Sequence, residues 1–452
     1  MFRLALQSLR HRTGGFMASF IALFLGATIV MTFASMLDTS GGSSVTSADR
    51  DTLVIMANVV GGFALVIVIF AATSTLTLSV RQRGAEMAVL KHVGATPAQI
   101  GRMIVGETTI VALAGSLLAI LPAMLGGWLL LEALASTGQV SATVPYRFGP
   151  IALGLGLGIN LVSATVAAAL TARSTTRKRA SESSAAAMIE TPGTGKKRVI
   201  AAVVLLAVGI GLGVVTATVS REEGYESMQT AGQASIWASI GFALLAQVLL
   251  RAIITVLGHP LAQMTGASSY LALLNLRQRS HQMASIAMPI ILFTGLATGT
   301  LYMQDIENSV TSVEGVAKST IQKNIETLNY VFVGMIVLFA AIMLINTLVA
   351  ATTYRSREFG QQRLAGSTPP QMLSMVVVES IVLAVTGVLF GSIASLVSVV
   401  PFSIARTGSP VPDSPAGIYL GIVAVAVIIT IVPTPTTTRR VIRTSAVEAV
   451  AA

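Results

Sequence analysis

Apolar runs of roughly twenty residues recur along the whole chain, separated by short stretches that carry most of its charge. They lie at 16–37, 53–80, 104–131, 150–172, 198–220, 234–257, 284–304, 329–353, 373–400 and 416–433. About twenty consecutive apolar residues is what a helix needs to cross a bilayer. The ten-residue alternation of a membrane β-barrel is absent. The pattern therefore predicts an all-α polytopic membrane protein with about ten transmembrane helices.

Composition agrees. Of 452 residues, 53% are hydrophobic and 11% charged, and the mean hydropathy is +0.79; a soluble domain carries about 25% charged residues. The absence of cysteine excludes disulfides and thiolate chemistry. His11, His92, His259 and His281 are scattered with no pair at ligand spacing, so no metal site is expected. The net charge of +10 would suit a polyanionic partner, but its distribution argues otherwise. With a cytoplasmic N-terminus, 23 Lys and Arg fall on the inner side. Only Arg50, Arg147, Arg221, Lys318, Lys323 and Arg406 fall outside. Twelve acidic residues lie outside and seven inside. This is the positive-inside asymmetry. It predicts a multi-pass membrane protein with both termini cytoplasmic, in contact with the lipid bilayer and with no nucleic acid. The first run, at about 22 residues, exceeds the 7–15 of a signal-peptide core, which favours a retained helix.

The chain contains a duplication. Arg83, Glu86, Lys91, Gly94, Thr96, Pro97, Gln99 and Glu107 recur as Arg355, Glu358, Arg363, Gly366, Thr368, Pro369, Gln371 and Glu379, every member offset by 272 positions. Upstream, Leu9-Arg10-His11-Arg12 corresponds to Leu276-Arg277-Gln278-Arg279. Each copy holds four predicted spans, with two more between them. An even number of intervening spans gives both copies one orientation, as parallel repeats about an axis along the membrane normal. The expected division is 1–180 for the first repeat with its basic N-terminal segment, 181–262 for the linker and two helices, and 263–452 for the second repeat.

Read locally, each repeated element is a helix, a break and a second helix. Gly94 and Gly366 suit the left-handed position that ends a helix. Thr96 and Thr368 can cap the next one, with Pro97 or Pro369 at its first position and Gln99 or Gln371 at its third. The pattern predicts a short cytoplasmic helix set apart from the long one leaving the membrane. Glu107 and Glu379 follow where the chain re-enters the bilayer. They are intramembrane polar candidates, with Asn58, Asn160, Gln247 and Asn346, because such groups are costly in lipid. Two copies of one capped element suggest one surface used twice, for a pair of identical partners.

The run Arg-x-x-Glu-x-x-x-x-Lys/Arg-x-x-Gly-Ala/Ser-Thr-Pro followed by a membrane Glu resembles the hallmark of FtsX-like, MacB-type ABC permeases. The 4+2+4 arrangement resembles the ten-helix, BceB-like form. The resemblance implies that the turn between the second and third helices of each unit contacts an ABC ATPase. Arg83, Glu86, Lys91, Gly94, Thr96, Pro97 and Gln99, with Arg355, Glu358, Arg363, Gly366, Thr368, Pro369 and Gln371, would then form the ATPase-coupling sites. It implies two copies of a cytoplasmic ATPase that carry the ATP and Mg²⁺, with no cofactor on this chain. The large outer domains of MacB and BceB-like proteins have no counterpart, because the connections 38–52 and 305–328 are short.

Gly193-Thr194-Gly195-Lys196-Lys197 is not a phosphate loop, since Glu190 and Lys197 occupy positions that need Gly and Ser/Thr. The chain itself is therefore not expected to be an enzyme. The in-span pairs Gly154/Gly158, Gly209/Gly213, Gly295/Gly299 and Gly387/Gly391 suit close helix packing. The expected function is export or extraction of a hydrophobic or amphipathic substrate, such as an antimicrobial peptide, lipid or drug. The alternatives are a non-transporting transmembrane signal relay and an ion-coupled secondary transporter. The duplication disfavours the first, and carboxylates at span ends disfavour the second.

Overall fold

The computed structural model describes residues 13–62, 92–176, 195–219, 224–264, 266–313 and 355–442, with scattered positions between 65 and 90 and between 323 and 344. Among the described residues the chain is helical and contains no strand. It forms two compact units. One comprises residues 1–190 with 318–335; the other comprises 191–317 with 336–452.

In the first unit, α1 (Thr13–Ser40) packs against α3 (Pro97–Ser136) and α4 (Pro150–Thr176). A short helix, α2 (Ser47–Ile55), folds back on α1 and continues into a π-helical turn at Met56–Val60. The α4 face turned inward is a ridge of small residues at every fourth position: Ala152, Gly156, Asn160, Ala164, Ala168 and Ala172 are all buried. Spacing of four places them in one row, and small side chains let backbones approach. Asn160 sits in that ridge and donates to Leu23 O at 3.1 Å and Ser116 Oγ at 2.7 Å, tying α4 to α1 and α3.

In the second unit, α5 (Lys196–Thr218) packs on α6 (Gly224–Leu244). α7 (Ala246–Met264) and α8 (Ala267–Gln278) lead into α9 (Ser280–Val313). α10 (Ser356–Leu364), α11 (Pro369–Thr407), α12 (Ala416–Ile431) and α13 (Pro433–Ile442) complete it. α9 and α11 lie along one another and α6 packs against both. Glycines set the approach. A Cβ at Gly391 would sit 2.6 Å from Thr294 Cβ and 2.9 Å from Ile291 O, and one at Gly213 would sit 2.7 Å from Val397 O.

Seven described helices are long and apolar enough to cross a membrane, and they coincide with seven of the predicted runs. The run at 234–257 does not form one straight span. Ser227–Leu244 and Ala246–Gly258 are separate helices bent by 67°. The runs at 53–80 and 329–353 fall largely outside the described residues. Of the GxxxG pairs, Gly209/Gly213, Gly295/Gly299 and Gly387/Gly391 lie at helix contacts. Gly154 and Gly158 do not: a Cβ at either meets nothing within 4 Å, because α4 turns the Ala152–Gly156 ridge inward instead.

Candidate functional site

Both repeated turns close by the same hydrogen bonds. In the first, Ala95 N–H donates to Leu90 O at 2.9 Å; in the second, Ser367 N–H donates to Gln362 O at 2.9 Å. This is the bond of a Schellman ending, which requires a left-handed residue just before the donor. Gly94 has φ +97° and Gly366 φ +95°. A Cβ at either glycine would meet nothing within 4 Å. Their requirement is therefore one of backbone conformation alone.

The next helix starts two residues later. Gln99 N–H donates to Thr96 Oγ1 at 3.3 Å while Thr96 N–H donates to Gln99 Oε1 at 2.9 Å, a closed capping box ahead of Pro97. At the second turn Thr368 N–H donates to Gln371 Oε1, also at 2.9 Å, ahead of Pro369. The capped segment is not a separate short helix as its sequence suggests. α3 and α11 run without a break for 40 and 39 residues, or about 60 Å each. The membrane core is only about 30 Å thick, so each helix has turns to spare beyond it. Pro122 and Pro401 each remove one backbone donor, but both lie more than about six turns past the tip and the helix continues through them. The cap and the inner part of the span therefore form one continuous rod. The tips themselves are open: Pro97, Gln99, Thr368, Pro369 and Gln371 are exposed, and Val93 is 82% exposed.

Beneath each tip lies an apolar cluster built from equivalent positions. Met87, Ile100 and Ile104 are buried in the first, with Met103 half-buried beside them. Phe359, Met372, Val376 and Met375 stand at the same positions, offset by 272, in the second. The first cluster is completed by Ala168 and Ala172 of α4, the second by Ala272 of α8.

The second turn is also held by charge. Arg355, 5% exposed, grips Glu379, 3% exposed, through two contacts: Nη1 to Oε2 at 2.5 Å and Nη2 to Oε1 at 3.0 Å. Its Nε reaches Glu358 Oε2 at 3.2 Å, and its guanidinium lies 4.9 Å from the centre of the Phe359 ring. Burial works against the Arg355 charge, but the two carboxylates outweigh it and raise the pKa. Glu358 also accepts from Arg279 Nη1 at 2.7 Å, and Glu379 accepts from Asn275 Nδ2 at 3.1 Å. Arg363 is half-buried on the same short helix. Glu107, the first-copy equivalent of Glu379, is 1% exposed. Arg83, Glu86 and Lys91 lie outside the described residues.

Of the other polar candidates, Asn160 bonds between helices and Gln247 is buried. Asn58 is exposed on the π-helical turn, and Asn346 lies outside the described residues. Among the described residues no three His, Asp or Glu side chains converge as metal ligands would. Sequence reading assigned no role to Arg279, Asn275 or Phe359. A signal for Arg279 was present, since it closes the basic segment that recurs at Arg12.

The two turns also mark where the chain matches known sequences. The family model for the FtsX-like permease C-terminal region matches twice, over residues 58–178 and 330–446. Each match contains one turn, and together they cover just over half of the chain. No curated protein matches it.

Proposed function

The chain belongs to the FtsX-like permease family, and on that premise we propose that it is the transmembrane subunit of an ABC transporter. It works with two copies of a cytoplasmic ABC ATPase, which bind the ATP and Mg²⁺. The observation that carries this reading is the pair of exposed, capped turns with matching glycine conformations, φ +97° and +95°, each fused to a helix that continues through the membrane. A rigid helix with its capped end exposed is suited to receive a push from a soluble partner. Two of them in one chain suit a dimer whose subunits close on ATP. The turns face the cytoplasm of a bacterial cell, and one chain supplies both docking sites.

The substrate class follows from what surrounds the helices. Leu117, Leu121, Leu125 and Trp128 of α3 are exposed, and they present an apolar surface to the bilayer. The connections at the outer end are short. A hydrophobic or amphipathic molecule entering from the membrane, such as an antimicrobial peptide, a lipid or a drug, suits these features, and export or extraction is the direction proposed.

The test is purification of the chain with its ATPase, mass measurement of the intact complex, and ATP turnover in liposomes. One permease with two ATPases is expected, with turnover lost when Gly94→Val and Gly366→Val are combined. Unchanged association and turnover in that double variant would refute the coupling role. ATPase activity with no substrate movement in any transport assay would favour a signal relay.

A further inference from the structure

The charge network at the second turn reaches an element that no coupling role yet includes. α8 precedes the transmembrane helix α9, separated from it by Arg279 alone, whose backbone at φ −108°, ψ 22° breaks the helix. Arg279 bonds Glu358 on α10 at 2.7 Å. One turn earlier, Asn275 bonds Glu379 on α11 at 3.1 Å and lies 3.4 Å from Met375 Sδ. Ala272 is buried among Phe359, Met372, Met375, Val376 and Val378, with Leu271 packed alongside. One face of α8 is thus fastened to both helices that flank Gly366, by charge at its end and by apolar packing along its length.

The repeat carries the same element. Leu271-Ala272-Leu273, Leu276-Arg277 and Arg279 recur as Leu4-Ala5-Leu6, Leu9-Arg10 and Arg12, offset by 267. Every charged member of the network has a counterpart: Arg12 for Arg279, Glu86 for Glu358, Arg83 for Arg355 and Glu107 for Glu379. Only Asn275 changes, to Ser8. Arg12, Arg83 and Glu86 lie outside the described residues, so in the first copy the correspondence is one of sequence.

We propose that Arg279 is a positioning residue: its bond to Glu358 makes α8 a lever that carries movement of the second turn into α9, and Arg12 is its counterpart in the first copy. A turn pushed from below would move α11 directly, because the two form one rod. α9 has no such continuity with the turn. Within the membrane it packs directly along α11, but at the turn itself it joins through α8. The Arg279–Glu358 bond therefore sets whether the inner end of α9 moves with the turn or slides along α11. The Arg279 side chain is 33% exposed. Its partner Glu358 is 18% exposed and keeps Arg355 as a second partner. Loss of Arg279 thus leaves no unpaired carboxylate, and the thermal midpoint separates a transmitting role from a folding one.

This inference rests on the coupling reading proposed above, and its test keeps the two apart. In this cysteine-free chain, spin labels are placed through Ser312→Cys at the exposed outer end of α9 and Val411→Cys, 73% exposed, in the loop after α11. The distance between them is measured in the ATPase complex, without nucleotide and with ATP and vanadate. Thermal midpoints are recorded for each variant. The otherwise unsubstituted protein should show a nucleotide-driven change in distance. Arg279→Gln should bind the ATPase and melt like the parent but lose that change, and Arg279→Lys should retain it. If the parent neither binds the ATPase nor responds to nucleotide, the coupling reading fails. If the parent responds and Arg279→Gln responds equally, the lever is overturned while coupling stands. Loss of ATPase binding, or of folded protein, in Arg279→Gln with retention in Arg279→Lys would also overturn it, assigning Arg279 to docking or to stability.

Discussion

The two repeats solve one problem identically at their turns and differently within the membrane. At the turns the glycine conformation, the Schellman bond, the glutamine that closes the cap and the apolar positions beneath all correspond. Away from them the copies part. The first helix of the first repeat is 61% buried along its apolar stretch, whereas its counterpart α9 is 89% buried. The extra cover on α9 comes from within its own unit, where α6 packs against both α9 and α11. The outer ends differ as well. In the first unit, Asp38 accepts from the N–H groups of Ile151 and Ala152, and Asp49 accepts from Ser141. In the second, Glu307 and Arg406 form a two-bonded ion pair at 2.8 and 2.9 Å. What the copies share is the surface offered at the turns; what they have lost in common is the lipid-facing and outer structure, where different neighbours impose different packing.

The largest expected effect tests whether the charge network belongs to both copies. Removing one partner of a buried ion pair costs about 3–5 kcal/mol, and replacing both partners with apolar residues recovers most of it. Arg355→Met should therefore lower the thermal midpoint strongly, and Arg355→Met with Glu379→Leu should restore much of the loss. Arg83→Met, alone and with Glu107→Leu, should behave the same way. A neutral Arg83→Met would show that the copies diverge at the turn too.

Glycine substitutions sharpen the membrane half of the comparison. Overpacking a tight contact costs about 1–3 kcal/mol. Gly391→Val in the second repeat, where a Cβ already meets Thr294 Cβ at 2.6 Å, should fall in that range. Gly154→Val in the first repeat has open space around it and should leave the midpoint unchanged. Equal effects would mean that the GxxxG pairs serve both repeats alike.

Smaller effects are expected at the turns. A left-handed backbone costs a side-chain-bearing residue about 1–2 kcal/mol. Gly94→Val and Gly366→Val should lose that amount and resemble each other closely, since φ agrees and neither site is crowded. Denaturation of the two single variants checks this, and a clear inequality would break the equivalence.

The smallest effect distinguishes the outer ends. Burial raises the Asp49 pKa, but hydrogen bonds from Thr46 and Ser141 outweigh it and hold the carboxyl below its ordinary 3.8. A depressed folded-state pKa favours the folded form fully above the ordinary value and loses that contribution as pH falls through the folded one. Protection of the Ser141 amide from hydrogen exchange should therefore persist down to about pH 4 and fall below it. Asp49→Asn should lower that protection at neutral pH.

What the sequence determined by itself is local or set by solvation. Twenty-residue apolar runs imply membrane helices because unpaired peptide groups cannot enter lipid. Thr96-Pro97-x-Gln99 and Gly94 specify a cap and a left-handed turn because both needs are met within a few residues of chain. The duplication is legible because it repeats those local needs at a constant offset. Contacts between distant segments are another matter, and only the tertiary structure decided them. Whether Gly154 or Gly156 faces a neighbour depends on how α4 is rotated, and both read alike in a row of glycines. The bend after Leu244 has no proline or glycine at the break to announce it. Arg279 reads as one more basic residue beside a membrane span until folding brings Glu358, 79 positions along the chain, within 2.7 Å. An ion pair depends on which helices meet, and that choice is made by packing over their whole length rather than by the residues at either end.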